Sequence, residues 1–334
     1  DAGGGSSSSS SEGNTTHSDE PMYSTQFVLG KGMFGSVFLG RLHGMPVAVK
    51  RCHALPPSAA GAAQARVHRG AMASFEQEVD SMSRLRHPNI LTLMGVVVGE
   101  RPIIVTELAA GGALHTLLRA HHNDAAKFAS RRVWRLHTRI AAQAAAGLAY
   151  AHACNYSHGD MKSPNILLTS SFEVKIADFG LSKILDTSSG QVEMGTVCGT
   201  WAYCAPEVRQ TIIGHRAHYT AAVDMWSLGV IMYVMMVAYH PFDPSGRASE
   251  AALWKSIVSG KFSFGDKSWD NVSEGPKDLI RKMLVKDATK RFTPAQVLAH
   301  PWIAGGIEEG TEQLSDQPIR ADITKDLQQF YKRK

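Results

Sequence analysis

The chain has 334 residues, 44% hydrophobic and 19% charged, with a net charge of +5; this excludes a collagen-like or wholly disordered protein and leaves room for two packed lobes. The basic residues are scattered rather than gathered into a stripe, which argues against nucleic acid as the main partner. The four cysteines, Cys52, Cys154, Cys198 and Cys204, show no metal-type pairing and are too few for a disulfide framework, which favours a reducing compartment.

Residues 1 to about 20 are Gly, Ser, Thr and Asn with little apolar surface to bury, and are expected to be disordered. From Phe27 the pattern turns strand-like. Val28-Leu29 runs into Gly30-Lys31-Gly32-Met33-Phe34-Gly35, and Val37 to Leu39 reads as a second apolar strand. Glycines at this spacing open a helix in a dinucleotide fold or form a hairpin lid over phosphates, and the β-type residues after Gly35 favour the lid. Pro46-Val47-Ala48-Val49-Lys50 alternates as a strand ending in a lysine, which by itself is no more than an exposed side chain. The Ala-, Gly- and Pro-rich insert from Ala54 to about Ala71 reads as a surface loop. Beyond Ser74, the residues Phe75, Val79, Met82 and Arg86 fall near one face of a helix, with Glu78 at its edge and Glu76 as its nearest competitor. Leu91 to Val98 and Ile103 to Thr106 complete a small antiparallel sheet. Glu107 to Gly112 then breaks the strand pattern, and Ala113 to Ala120 is helical. Asn123 to Arg135 is a polar connector, and the alanine-dominated run from Thr138 to His152 is a strong helix former.

That helix leads into Tyr156 to Gly180, YSHGDMKSPNILLTSSFEVKIADFG, which packs two carboxylates, a lysine and an asparagine into two tight turns. Oxygen ligands and a cation held this close suit a magnesium-bound phosphate, because magnesium takes one or two protein oxygens and leaves its other positions to water and phosphate. The stretch resembles the catalytic loop and DFG turn of the eukaryotic protein kinases. The resemblance implies that Asp160 accepts the substrate hydroxyl proton, Lys162 steadies the transferring phosphoryl group, and Asn165 and Asp178 hold Mg2+. It also implies that Lys50 pairs with Glu78 and positions the phosphates of ATP. Leu29, Gly30, Gly32, Gly35, Val37, Ala48, Thr106 and Leu167 would line the nucleotide site, with the backbone of Glu107 and Ala109 bonding adenine. His158 and Phe179 are packing residues in this scheme. One position departs from the pattern, for Gly159 stands where the family usually carries arginine.

The likeness continues through Ala205-Pro206-Glu207, which closes a loop carrying the candidate phosphosites Thr187, Ser188, Ser189 and Thr196. Asp224 to Gly229 matches the buried central helix of the larger lobe. The apolar run Met225 to Tyr239 is shorter than the roughly 20 residues of a membrane span. Arg291 is expected to pair with Glu207, and His300-Pro301-Trp302 belongs to the closing helices. The implied fold is α+β with two lobes: a domain over 23–303, divided into an N-lobe at 23–106, a hinge at 107–112 and a C-lobe at 113–303. It is flanked by a tail at 1–22 and an extension at 304–334, in which Ile323 to Tyr331 is weakly amphipathic.

The implied activity is transfer of the γ-phosphoryl group of Mg-ATP to protein hydroxyls. Lys162 and Thr200 favour serine or threonine as acceptor, and Ser163-Pro164-Asn165 with Arg86-His87-Pro88-Asn89-Ile90 resembles the tyrosine-kinase-like group. The alternative is a pseudokinase scaffold, for which Gly159 is the support. Expected partners are a protein substrate, ATP and a regulatory protein, with no nucleic acid and no membrane span, in the cytoplasm.

Overall fold

Val47 and Val49 are fully buried while Ala48 and Lys50, which alternate with them, are only half-buried, the alternation of a strand with one face on a core. The computed structural model describes residues 21–32, 35–52, 62–99, 101–122, 131–184, 201–208 and 220–308. Strands β1 (Met22–Lys31), β2 (Gly35–Leu42), β3 (Met45–Cys52), β4 (Leu93–Val97) and β5 (Ile103–Glu107) form one five-stranded antiparallel sheet in the order β1-β2-β3-β5-β4. β1 starts at Met22, five residues before the strand-like pattern of the sequence becomes apparent.

Helix α1 (Ala62–Arg84) packs beside this sheet. It corrects the loop expected over the insert, because residues 62–71 are already helical. The cause is the alanine content of Ala62-Ala63-Gln64-Ala65, since alanine loses least on entering a helix. Phe75 and Val79 pack under the sheet and Met82 joins the larger core. Arg86 does not share that face; it lies past the helix end and is exposed, Pro88 having disfavoured further helix.

Glu107 is the last residue of β5 and pairs with Val47, so the strand runs one residue into the expected hinge. Gly112–Ala113 forms β6 before α2 (Leu114–His122). The second lobe is mainly helical. α3 (Arg131–Ala153) begins seven residues before the expected Thr138, and α4 (Ala222–Val237) is buried along nearly its whole length, as a helix apolar on all sides must be. Next come α5 (Glu250–Ser259) and α6 (Glu274–Met283), which packs on α4, and then α7 (Pro294–Leu298) and α8 (Pro301–Glu308), which pack on α3. Helix α7 starts with a reciprocal cap in which Thr293 and Gln296 each satisfy a backbone N–H of the other, and α8 continues past Ile303. Between the lobes β7 (Tyr156–Ser157) pairs with β10 (Lys183–Ile184), and β8 (Ile166–Leu168) pairs with both β6 and β9 (Val174–Ile176).

Candidate active site

The ends of three elements meet at the cleft. The last turn of α3 delivers the chain into β7 and the loop after it, the β8–β9 hairpin returns it, and Asp178 follows one residue beyond Ala177. Cross-links in the backbone hold these turns together: the Ala177 N–H donates to Asn165 O at 2.9 Å, and the Asn165 N–H to Lys162 O at 3.0 Å. Asp160, Lys162, Asn165 and Asp178 therefore come from 19 residues of sequence yet share one side of the hairpin.

Asp160 is buried, and Lys162 Nζ donates to its Oδ2 at 2.5 Å. Asn165 Nδ2 donates to the Asp160 carbonyl at 2.9 Å and to its carboxylate at 3.2 Å, which turns the other amide atom, the oxygen, away from Asp160. His158 spends both ring nitrogens: Nε2 donates to Ala177 O at 3.0 Å and Nδ1 accepts the Asp160 N–H at 3.2 Å. Its ring lies 4.7 Å from that of the fully buried Phe179. Both are packing residues, as expected.

Lys50 crosses from the sheet to the other lobe. Its Nζ lies 2.6 Å from Glu78 Oε2 and 3.3 Å from Asp178 Oδ1. Glu76 is exposed and takes no part. Burial alone would lower the Lys50 ammonium, but the charges of Glu78 and Asp178 outweigh it and hold it above the ordinary lysine value. Burial pushes the Glu78 carboxyl up against the pull of Lys50. Asp178 is held below the ordinary carboxylate value, since Lys50 and the nearby His158 and Lys162 overcome its own desolvation. Asp178 has φ +67° and ψ +64°, a left-handed conformation that a non-glycine residue adopts at a cost of about 1–3 kcal/mol.

The remaining residues expected at a nucleotide site lie on β1, β2, β3, β5 and β8 and in the turns beside them. Ala48 pairs with Thr106 across β3 and β5, Val37 with Lys50 across β2 and β3, and Leu167 with Ala113 across β8 and β6. Leu29 and Gly30 lie on β1 and Gly32 closes on Gly35 through an N–H···O bond of 2.8 Å. Met33 and Phe34 lie outside the described residues. Ala109 is buried at the turn, where its carbonyl accepts from Gly112 N–H.

A magnesium ion would find few protein oxygens here. Among the described residues no three His, Cys, Asp or Glu side chains come together as a metal site. The Asn165 amide oxygen and the Asp178 carboxylate are hard oxygen donors, the chemistry that fits a magnesium keeping water and phosphate in its other positions.

Below the loop, Asp224 on α4 accepts four hydrogen bonds: from His152 Nε2, His158 N and Gly159 N at 2.8 Å and from Ser157 Oγ at 3.0 Å. Burial would raise its carboxyl, but the bond and charge of His152, with His158 and the Gly159 N–H, hold it below the ordinary value. Gly159 has φ +77°, so the backbone that presents two N–H groups to Asp224 is one that glycine adopts without strain. Arg291, its side chain fully buried, grips Glu207 at 2.7 and 3.1 Å and stacks 5.2 Å from Trp226. Cys204, next to that segment, is disulfide-bonded while Cys52 and Cys154 are free, which corrects the expectation of reduced thiols throughout. Thr187, Ser188, Ser189, Thr196 and Thr200 lie outside the described residues.

Several contacts carry no sequence signal of their own. The Glu107 carboxylate takes Thr92 N–H, Thr92 Oγ1 and Lys175 Nζ at 2.7–2.9 Å, tying β4, β5 and β9 at the crossing between lobes. His152 on Asp224 was likewise unforeseen. Among the described residues, no helix is long and apolar enough to cross a membrane.

Residues 23–303 match the protein kinase domain family. The chain is 32% identical over 324 residues to calcium/calmodulin-dependent protein kinase type 1B of Rattus norvegicus, covering 95% of this chain and 84% of that protein. It is 32% identical over 316 residues to calcium/calmodulin-dependent protein kinase type 1 of Macrobrachium nipponense, covering 93% and 82%. With the probable serine/threonine-protein kinase fhkC of Dictyostelium discoideum the figures are 33% over 303 residues, 88% and 46%.

Proposed function

The chain belongs to the protein kinase domain family, and we propose that, as a serine/threonine protein kinase, it transfers the γ-phosphoryl group of magnesium-bound ATP to protein hydroxyls. The observation that carries this is the single lysine, Lys50, lying against both Glu78 and Asp178 while Asp160 faces the same cleft with Lys162 on its carboxylate. Lys50 orients the phosphates, and Glu78 fixes Lys50. Asp160 takes up the acceptor's proton, and Lys162 steadies the charge that develops on the transferred group. Asn165 and Asp178 would hold magnesium, which supplies charge neutralisation on the phosphate oxygens. Leu29, Gly30, Gly32, Gly35, Val37, Ala48, Thr106, Leu167 and the backbone of Glu107 and Ala109 make up the proposed nucleotide site.

The proposal includes the division into an N-lobe (23–106), hinge (107–112) and C-lobe (113–303), a cytoplasmic setting, and a regulatory protein partner. It also includes an activation mode. Gly159 offers no charge to a phosphate on the loop at 185–200, so loop phosphorylation matters less here than in kinases with arginine at that place. Ser163-Pro164-Asn165 keeps the likeness to the tyrosine-kinase-like group, while two of the relatives above bear calcium/calmodulin-dependent names.

A peptide array incubated with magnesium and γ-labelled ATP tests the reaction, and phosphoamino-acid analysis tests the acceptor. Transfer to serine or threonine is expected, and predominant phosphotyrosine would refute the acceptor assignment. Gly159 favours a second reading, a scaffold that binds ATP. Magnesium-dependent ATP binding with no transfer to any peptide would decide for it. Phosphatase-treated enzyme that loses more than about tenfold in rate, about 1.4 kcal/mol, would overturn the activation mode.

A further inference from the structure

On α1, Ser74, Gln77, Glu78 and Ser81 occur at spacings of three and four residues and share one face. Ser74, Gln77 and Ser81 meet the turn that begins at Asp178 directly, and Glu78 meets it through Lys50. Ser74 Oγ donates to Gly180 O at 3.2 Å, and a Cβ on Gly180 would come within 2.6 Å of Ser74 Oγ, so a side chain at 180 would displace the hydroxyl from this bond. Glu78 reaches Asp178 through Lys50. Further along the helix, Ser81 Oγ and Ser182 Oγ lie 2.6 Å apart, 0% and 4% exposed.

Counting protons fixes the direction of this last bond. A hydroxyl has one proton and two acceptor positions. Ser81 Oγ donates its proton to Gln77 O at 2.8 Å, a back-bond to the preceding turn of the helix. Ser182 is therefore the donor and Ser81 the acceptor. Gln77 Nε2 completes the set, donating to Ser81 Oγ at 3.2 Å and reaching Ser182 Oγ at 3.5 Å. With the Ser81 proton on Gln77 O, the proton of Ser182 has Ser81 as its acceptor among the described residues.

We propose that the Ser81–Ser182 hydroxyl pair is a positioning latch, closed when α1 and the Asp178 turn stand in the arrangement that gives Lys50 both of its carboxylates. The inference rests on the reading of Lys50, Glu78 and Asp178 as catalytic. Neither serine touches substrate. When helix and turn separate, the Ser182 hydroxyl donates to water. When they are together it needs Ser81. Removing the acceptor thus penalises only the assembled state, whereas removing the donor leaves Ser81 its bonds to Gln77 O and Gln77 Nε2.

The consequence is an asymmetry between two chemically identical substitutions. In the full chain, Ser81→Ala should lower amide-exchange protection over 74–84 and 178–184 together by about tenfold, about 1.4 kcal/mol, and lower kcat while KM for the peptide stays put. Ser182→Ala should do distinctly less. The double variant Ser81→Ala/Ser182→Ala should recover part of the loss of Ser81→Ala, because the orphaned donor is gone. Hydrogen exchange and steady-state kinetics on wild type and the three variants, with Lys50→Met as the inactive reference, provide the test. Ser182→Ala being the more damaging change, additive losses in the double variant, or exchange rising uniformly through both lobes would each overturn the latch. If wild type shows no transfer above Lys50→Met, the catalytic reading fails instead, and the exchange pattern still decides the latch.

Discussion

Two aspartates anchor the catalytic loop, and they are held in opposite ways. Asp224 has a side chain 1% exposed, sits on a buried helix, and accepts from four donors. Asp178 has a side chain 43% exposed, sits in a left-handed turn, and has Lys50 as its ion-pair partner at 3.3 Å. The first is a brace whose hydrogen bonds are all internal. The second has one oxygen on Lys50 and a left-handed backbone that the surrounding contacts maintain. Stability is thus carried by the carboxylate on the helix, and the chemistry proposed above falls to the one in the turn.

The sharpest way to break this contrast is one substitution made twice. Asp178→Asn should cost at least about 10²-fold in kcat/KM with Tm unchanged, since asparagine tolerates the left-handed conformation. Asp224→Asn should unfold the protein more readily, by about 3–5 kcal/mol, because an amide nitrogen would face backbone N–H groups left without an acceptor in a buried site. Thermal melts and steady-state kinetics on both variants check this, and a matching fall in Tm for the two would refute the division of labour.

Asp160→Asn should lower kcat by about 10²–10⁴-fold with little change in ATP affinity, the range for loss of a general base. Near-normal turnover on a peptide would refute the role given to that carboxylate. Away from the loop, Arg291→Ala should destabilise by about 3–5 kcal/mol by stranding Glu207, with kcat per folded molecule retained. Calorimetry together with active-site titration separates those quantities.

The smallest expected effect is a pH dependence. His240 donates from Nε2 to Ala202 O at 2.7 Å and accepts the Phe242 N–H at Nδ1. Burial holds its ring below the ordinary histidine value against the pull of Ala202 O and Asp243. A group depressed on folding binds more protons unfolded, so its stabilisation is present above the unfolded value near 6.5 and fades as pH falls. His87 and His115 are lowered by burial too. Tm should decline from pH 7.5 to 5.5, and His240→Gln should flatten part of that slope. An unchanged slope would show that the ring's bonds are not what the acid limb reports.

What the sequence alone determined is local. Tyr156 to Gly180 carries Asp160, Lys162, Asn165 and Asp178 within 25 residues, so their residue types and spacing marked a candidate site before any packing was known. The strand pattern of Val47 to Lys50 was legible for the same reason, as was the buried run of α4, because periodic burial writes itself into successive residues. The start of α1 was misread because an alanine-rich stretch suits a helix and a low-complexity loop alike. Tertiary structure alone decided the pairs that are distant in the chain. Lys50 meets Asp178 across 128 positions, Ser81 meets Ser182 across 101, and His152 meets Asp224 across 72. A serine or histidine on a helix looks the same whether it faces water or a partner; only the fold, by removing water from both, makes the bond between them matter.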